Sequence, residues 1–229
     1  MTIKNLYEDN HVIAVVKPAG VLSQGDLSGQ TSMYGLVKNY LKEKKNKKTP
    51  SNPSGQAGNV FLGIVHRLDR PVFGILLFAK TSKGASRLSE QFRNKTVEKT
   101  YHALVAGKPK NQKGVLVNFI GKDEKLLKAK EYADGREAVL HYETVKTNGT
   151  YSLLKITIEG GQFHQIRVQL SLAGMPIVGD VKYGGERWDN LQAIALCATG
   201  LSFNYATEDK KIELAIESPT KWQDYLSTE

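Results

Sequence analysis

The stretch GIVHRLDRPVFGILLFAKT, residues 63–81, sets four ionisable side chains, His66, Arg67, Asp69 and Arg70, between two apolar runs. The second run, GILLFAK at 74–80, is short, continuous and closed by a charge, as a buried strand would be. The charged segment before it is therefore expected in a loop at the sheet's edge. An aspartate flanked by arginines there is open to three readings. It could belong to a surface ion cluster, stabilise a turn with His66 packed inside, or serve as a poised reactive carboxylate.

Downstream, SKGASRLSEQFRN (82–94) carries Ala85, Leu88 and Phe92 at helical spacing, with Ser82 as N-cap. VEKTYHALVAG (97–107) alternates and places Val97, Lys99, Tyr101, Ala103 and Val105 on one face of a strand. YSLLKITIE (151–159) and KIELAIE (211–217) also read as strands. QFHQIRVQLSLAG (162–174) reads as a helix with Phe163, Ile166, Leu170 and Ala173 as its apolar stripe and Gly174 as its stop. Upstream, the first strands of the fold lie near VIAVVKPAG. Strands outnumber helices and do not alternate regularly with them. The expectation is an α+β fold, one domain over 1–229, with a mixed, largely antiparallel sheet. KEKKNKKTPSNPSGQAGN (42–59) holds five lysines, Lys42, Lys44, Lys45, Lys47 and Lys48, then a Pro/Ser/Gly/Asn-rich tract without a hydrophobic face. It is expected to be a mobile basic loop, either a solvated linker or a phosphate contact.

At 229 residues the chain can bury a substantial core without a disulfide or metal. Its single cysteine, Cys197, excludes an intrachain disulfide and any cysteine-based metal cluster, and fits a cytoplasmic location. No apolar run approaches the ~18 residues of a membrane span, and acids interrupt the N-terminus where a signal peptide needs an apolar segment. The net charge of +9 favours an anionic partner, above all nucleic acid. GILLFAKT (74–81) has the outline of a phosphate-binding loop, but Ile75, Leu76, Leu77 and Phe78 prefer a strand to a flexible turn, so no nucleotide cofactor is expected. The five histidines show no paired ligand spacing, so no metal is expected either. His102, on the strand face opposite Tyr101, and His164 are both expected to be structural.

Taken together, GIVHRLDRPVFGILLFAKT, EKTYHALVAG and GQFHQIRVQLSLAGMPIVGDVKYG resemble the RluA-type pseudouridine synthases in content, order and spacing. VIAVVKPAGVLSQ, with Lys17-Pro18, is similar to that family's opening motif. The resemblance runs from about Leu6 to Pro219, and no N-terminal S4 domain is expected. It implies that Asp69 is the catalytic residue, that Tyr101 stacks on the target base, and that Arg167 pairs with the aspartate. It implies that Arg67 helps to open the RNA stack, and that no cofactor is needed. Arg70, Lys17, Lys99 and Gln165, which lie in the same motifs, are further candidate RNA contacts. The chain departs from the family where Val72-Phe73-Gly74 replaces T-S-G and Gly160-Gly161-Gln162 replaces T-G-R. Cys197 and Met175 stand where histidines are usual. These departures bear on RNA contacts and target choice more than on the chemistry.

The residue types suit that chemistry. A stacked uridine must be flipped out at a cost of a few kcal/mol, and a guanidinium can fill the space it leaves. An aspartate with an ordinary pKa of ~3.9 is ionised at neutral pH, and a nearby arginine offsets the effect of burial. A phenol with pKa ~10 is better suited to stacking than to taking a proton at pH 7. The expected protein is thus a monomeric RNA pseudouridine synthase acting on ribosomal or transfer RNA. The alternative is a non-catalytic RNA-binding or RNA-folding factor on the same scaffold.

Overall fold

The computed structural model describes residues 2–27, 29–48, 60–188, 192–205 and 210–227. Its elements in chain order are β1 (Lys4–Glu8), β2 (Val12–Lys17), α1 (Met33–Lys48), β3 (Gly63–Ile64), β4 (Phe73–Ala79), α2 (Ser82–Arg93), β5 (Glu98–Ala106), β6 (Lys113–Asp123), β7 (Lys128–Glu131), β8 (Arg136–Thr147), β9 (Tyr151–Glu159), α3 (Gln165–Leu172), β10 (Leu196–Asn204) and β11 (Lys211–Ala215). The strands form one sheet in the order β1-β2-β4-β10-β5-β9-β8-β6-β7, with β3 paired to β4 and β11 to β10. Every pairing is antiparallel except β4 with β10, where Phe73 faces Cys197 and Gly74 faces Ala198. The α+β fold with a mixed, largely antiparallel sheet is as expected.

The central strands β2 and β4 are buried on both faces, which is why VIAVVK and FGILLFA read as unbroken apolar runs. One face packs Val12, Ala14, Ile75 and Leu77 against Leu88 of α2. The other builds the main core from Ile13, Val15, Leu76, Phe78, Val37 and Leu41 of α1, and Ile166 and Leu170 of α3. Gly74, at φ 135, lets β4 approach β10 so closely that a Cβ would run into the Ala198 backbone.

Several local expectations need correction. Residues 42–48 are the last two turns of α1, because a helix nucleated around buried Val37 and Leu41 propagates through residues with good helix propensity. The remainder of the expected loop, 49–59, lies outside the described residues. Thr81, and not Ser82, caps α2, its side chain accepting from Gly84 N–H at 3.0 Å. α3 begins only at Gln165, so Phe163 lies before it and is 40% exposed, and Ala173 is exposed at its C-cap. The HRLDR loop runs beside β4 in the middle of the sheet rather than at its edge. There, Leu77 N–H donates to His66 Nε2 at 3.0 Å, a link that stands in for a strand partner.

Candidate active site

Three segments far apart in sequence meet over the middle of the sheet. The first is the 66–70 loop. Ser23 fixes it by accepting from Leu68 N–H at 3.0 Å and donating to Leu68 C=O at 2.7 Å. The chain then turns at Asp69, whose carbonyl accepts from Val72 N–H at 3.0 Å, and the side chain points into a cleft. The second segment is β5, which contributes Tyr101. The third is α3, whose residues Gln165 to Leu170 are all buried and which carries Arg167.

Arg167 is 5% exposed and makes three charge-assisted contacts. Its Nε reaches Asp180 Oδ2 at 2.7 Å, its Nη2 reaches Asp180 Oδ1 at 2.8 Å, and its Nη1 reaches Asp69 Oδ2 at 3.2 Å. Burial alone would lower the Arg167 pKa, but Asp180 and Asp69 outweigh it and hold the guanidinium above its ordinary value. His164 brings Nε2 to 3.5 Å from the same Oδ2. Among the described residues no donor contacts Oδ1 of Asp69, so one carboxylate oxygen is tethered and the other is open to the cleft.

The cleft is small, about 90 Å³, and its lining includes Arg67, Asp69, Val72, Tyr101, Gln162 and Arg167. A larger concavity of about 360 Å³ near Glu8, Lys44 and Lys80 lacks this convergence of reactive groups. Burial, with the Asp69 charge added, raises the Tyr101 pKa far above that of a free phenol. The direction of that shift favours the neutral phenol, which lines the same cleft as the carboxylate.

The remaining candidates divide. Arg67 is exposed at the cleft, with no hydrogen bond or ion pair to any described residue. Arg70 is exposed too, its Nε donating to Gly20 C=O at 3.0 Å. Lys99 shares the Tyr101 face of β5, with its ammonium beside Gly161, and burial together with Lys95 lowers its pKa to about 8. Lys17 and Gln165 are buried and their polar groups are engaged within the protein. Lys17 is fully buried and donates to the carbonyls of Pro18, Val21 and Arg70 at 3.0, 2.8 and 3.0 Å, strapping the opening segment to the HRLDR loop. Burial brings its pKa down to about 7, with the Asp69 charge acting against that. Gln165 is 2% exposed, and both ends of its amide are engaged, with Gln162 N–H and Val139 C=O, each at 3.1 Å.

His102 plays the structural role expected of it, and His66 packs inside, one of the alternatives its segment left open. His66 stacks on Phe92 and is kept neutral by burial, with a pKa near 3, and His102 Nδ1 contacts Thr199 Oγ1 at 2.8 Å. His164 does not: it lies in the cleft. Sequence patterns also missed Asp180 and Tyr183, both in the GDVKYGG turn. Gly185 makes that turn possible, since a Cβ there would collide with the Ile177 carbonyl. Of the departures, Val72 and Gln162 line the cleft, whereas Cys197 is buried in β10 and Met175 in the core. No cluster of three or more potential metal ligands occurs among the described residues, and none of their helices is long and apolar enough to cross a membrane.

Comparison with known proteins places this geometry in context. The model of the family described as RNA pseudouridylate synthase matches residues 11–172. An uncharacterized RNA pseudouridine synthase of Bacillus subtilis, YlyB, is 31% identical over 223 residues, covering 96% of this chain and 70% of its own length. The ribosomal large subunit pseudouridine synthase C of Rickettsia bellii is 35% identical over 187 residues, covering 80% of this chain and 57% of its own length. This chain thus spans little more than half of some relatives. The solved structure of human RNA pseudouridylate synthase domain containing 4 shares the fold, with a TM-score of 0.71 at 21% identity over 96% of this chain and 90% of that one.

Proposed function

The chain belongs to the RNA pseudouridylate synthase family, RluA type, and from that premise we propose that it isomerises a specific uridine in RNA, with Asp69 as the reactive carboxylate. Ribosomal RNA is the first candidate and transfer RNA the second, the order suggested by the relative named for the large ribosomal subunit. The observation that carries the proposal is the asymmetry of Asp69: Oδ2 is held by Arg167 at 3.2 Å, while Oδ1 has no donor among the described residues, in a cleft lined by Tyr101.

The reaction conserves every atom and electron. The bond from ribose C1′ to uracil N1 breaks, the detached base turns, and a bond from C1′ to C5 forms. The C5 hydrogen leaves as a proton and N1 takes one up. Whether the carboxylate attacks C1′ or removes a sugar proton, it must be ionised and have one oxygen unencumbered. Arg167 holds Oδ2 at 3.2 Å, and Asp180 keeps Arg167 in place. An active-site group cannot reach a base still stacked in RNA, so the uridine must enter the cleft, of about 90 Å³, flipped. Arg67, exposed at the cleft and without a partner among the described residues, is suited to fill the vacated stack, and Tyr101 to hold the uracil plane, a contact worth ~1–3 kcal/mol.

The test is a map of pseudouridine across total RNA from cells with the gene, without it, and with Asp69→Asn in its place. Loss of one or a few positions in both altered strains supports the proposal. A full set of positions in the Asp69→Asn strain would favour a non-catalytic RNA-binding role.

A further inference from the structure

His164 enters the cleft from the residue before α3, in left-handed backbone at φ 54. Phe163 stacks on its ring with centroids 3.8 Å apart, and Tyr183 meets it edge-on at 5.5 Å. Its Nδ1 lies 2.8 Å from the Tyr183 hydroxyl and its Nε2 lies 3.5 Å from Asp69 Oδ2.

A backbone group decides where the protons in this chain sit. Ala129 N–H donates to the Tyr183 hydroxyl oxygen at 2.7 Å, and an amide hydrogen has no alternative position. Tyr183 is 4% exposed, and among the described residues its hydroxyl contacts only Ala129 N and His164 Nδ1. With the amide donating, the phenol hydrogen has one acceptor, Nδ1. A neutral imidazole that accepts at Nδ1 carries its hydrogen on Nε2, the nitrogen that faces Asp69. The reverse arrangement would bury the phenol hydrogen without an acceptor and aim an imidazole lone pair at a carboxylate. Burial first, then the charges of Arg167 and Lys182, with Asp180 opposing, bring the His164 pKa down to about 3, so the ring is neutral at pH 7.

We propose that His164 is a positioning residue whose Nε2–H, set by the Ala129 amide through the Tyr183 hydroxyl, shares Asp69 Oδ2 with Arg167 and leaves Oδ1 as the oxygen presented to the uridine. This inference rests on Asp69 being the reactive carboxylate. At 3.5 Å the contact is long for a hydrogen bond, and the proposed role requires it to shorten when RNA fills the cleft, as catalytic contacts commonly do.

The first readout is the 15N spectrum of the imidazole side chains in the whole labelled protein at pH 7, with His164 assigned by its absence from His164→Gln. The expected signature is a neutral ring protonated on Nε2, giving way to a tautomer mixture in Tyr183→Phe. A wild-type ring protonated on Nδ1, or on both nitrogens, would overturn the inference. The second readout is single-turnover conversion of a uridine-containing RNA. His164→Leu should be slower by roughly 10- to 100-fold, the range spanned by a hydrogen bond to a charged group, with RNA affinity unchanged. His164→Gln, whose amide N–H reaches the Nε2 position, should recover most of the rate. His164→Leu at the wild-type rate would also overturn it. Asp69→Asn, measured alongside, separates the two claims. Conversion by that variant would remove the premise, whereas silence there with full activity in His164→Leu would remove only the role of His164.

Discussion

Arg167 grips Asp180 through two nitrogens, at 2.7 and 2.8 Å, and offers its third to Asp69 at 3.2 Å. A buried guanidinium is thus anchored from behind by a carboxylate that is 1% exposed and directed forward at one that remains accessible. Removing one partner of a buried pair typically costs about 3–5 kcal/mol, because the other charge is left without compensation. Asp180→Ala should therefore lower the urea-unfolding free energy by that amount. Asp69→Asn, at a position whose side chain is 28% exposed, should cost under about 1.5 kcal/mol. Equal losses in the two variants would contradict the division of labour between anchor and reactive group.

Tyr101 should not titrate in the working range. Its pKa is raised by burial and by Asp69, so the pH–rate profile should show no limb from phenol ionisation between pH 7 and 10. A rate rising about tenfold per pH unit there would show that the phenolate is the active form. Tyr101→Ala should lose roughly 10- to 100-fold in turnover, matching a base stack of ~1–3 kcal/mol.

Arg67 and Lys17 should differ in how salt affects RNA binding. If Arg67 meets a phosphate, Arg67→Ala should reduce the slope of log K against log salt by about 1. Lys17→Met should leave that slope unchanged, since its ammonium is spent on three carbonyls, and should instead lower the melting temperature. A reduced slope in Lys17→Met would return that residue to the RNA-facing surface.

Glu8 provides an acid-range test of the fold. Burial would raise its pKa, but Lys44 and Lys80, each at 2.7 Å, outweigh that and lower it from 4.5 to about 2. As pH falls, the unfolded chain takes up this proton first. The stabilisation from Glu8 is therefore complete above pH 4.5 and lost between 4.5 and 2, at most about 3 kcal/mol. Glu8→Gln should be less stable at pH 6 and should lose less than wild type on acidification to pH 3. Parallel losses in chemical denaturation would rule out this contribution.

How much of this was legible in the sequence follows from the range of the interactions. The strands β4, β5 and β9 could be read because their apolar runs or alternation are local. Asp69, Tyr101 and Arg167, which the structure brings to one cleft, sit in ordered motifs that can be read along the chain. The alternating segment of β6 escaped notice, and it is unusual in turning Val115, Val117 and Phe119 outward to about half exposure. The lysines that end α1 read as linker because they lack an apolar stripe, whereas the helix is held by Val37 and Leu41 further back. Lys17 is a candidate RNA contact by its place in the motifs, and its burial is not locally encoded, since its carbonyl partner on Arg70 is 53 residues away. Asp180, Tyr183 and the position of His164 depend on the GDVKYGG turn folding against α3, and no local pattern encodes that.

The central claim is that the free oxygen of Asp69 performs the chemistry. The most direct measurement is tritium release from C5-tritiated uridine in RNA by purified wild type and Asp69→Asn, with RNA binding measured in the same samples. The account predicts release by wild type, and from Asp69→Asn full binding with release reduced to background. Release by Asp69→Asn at a rate near wild type, with binding intact, would contradict it.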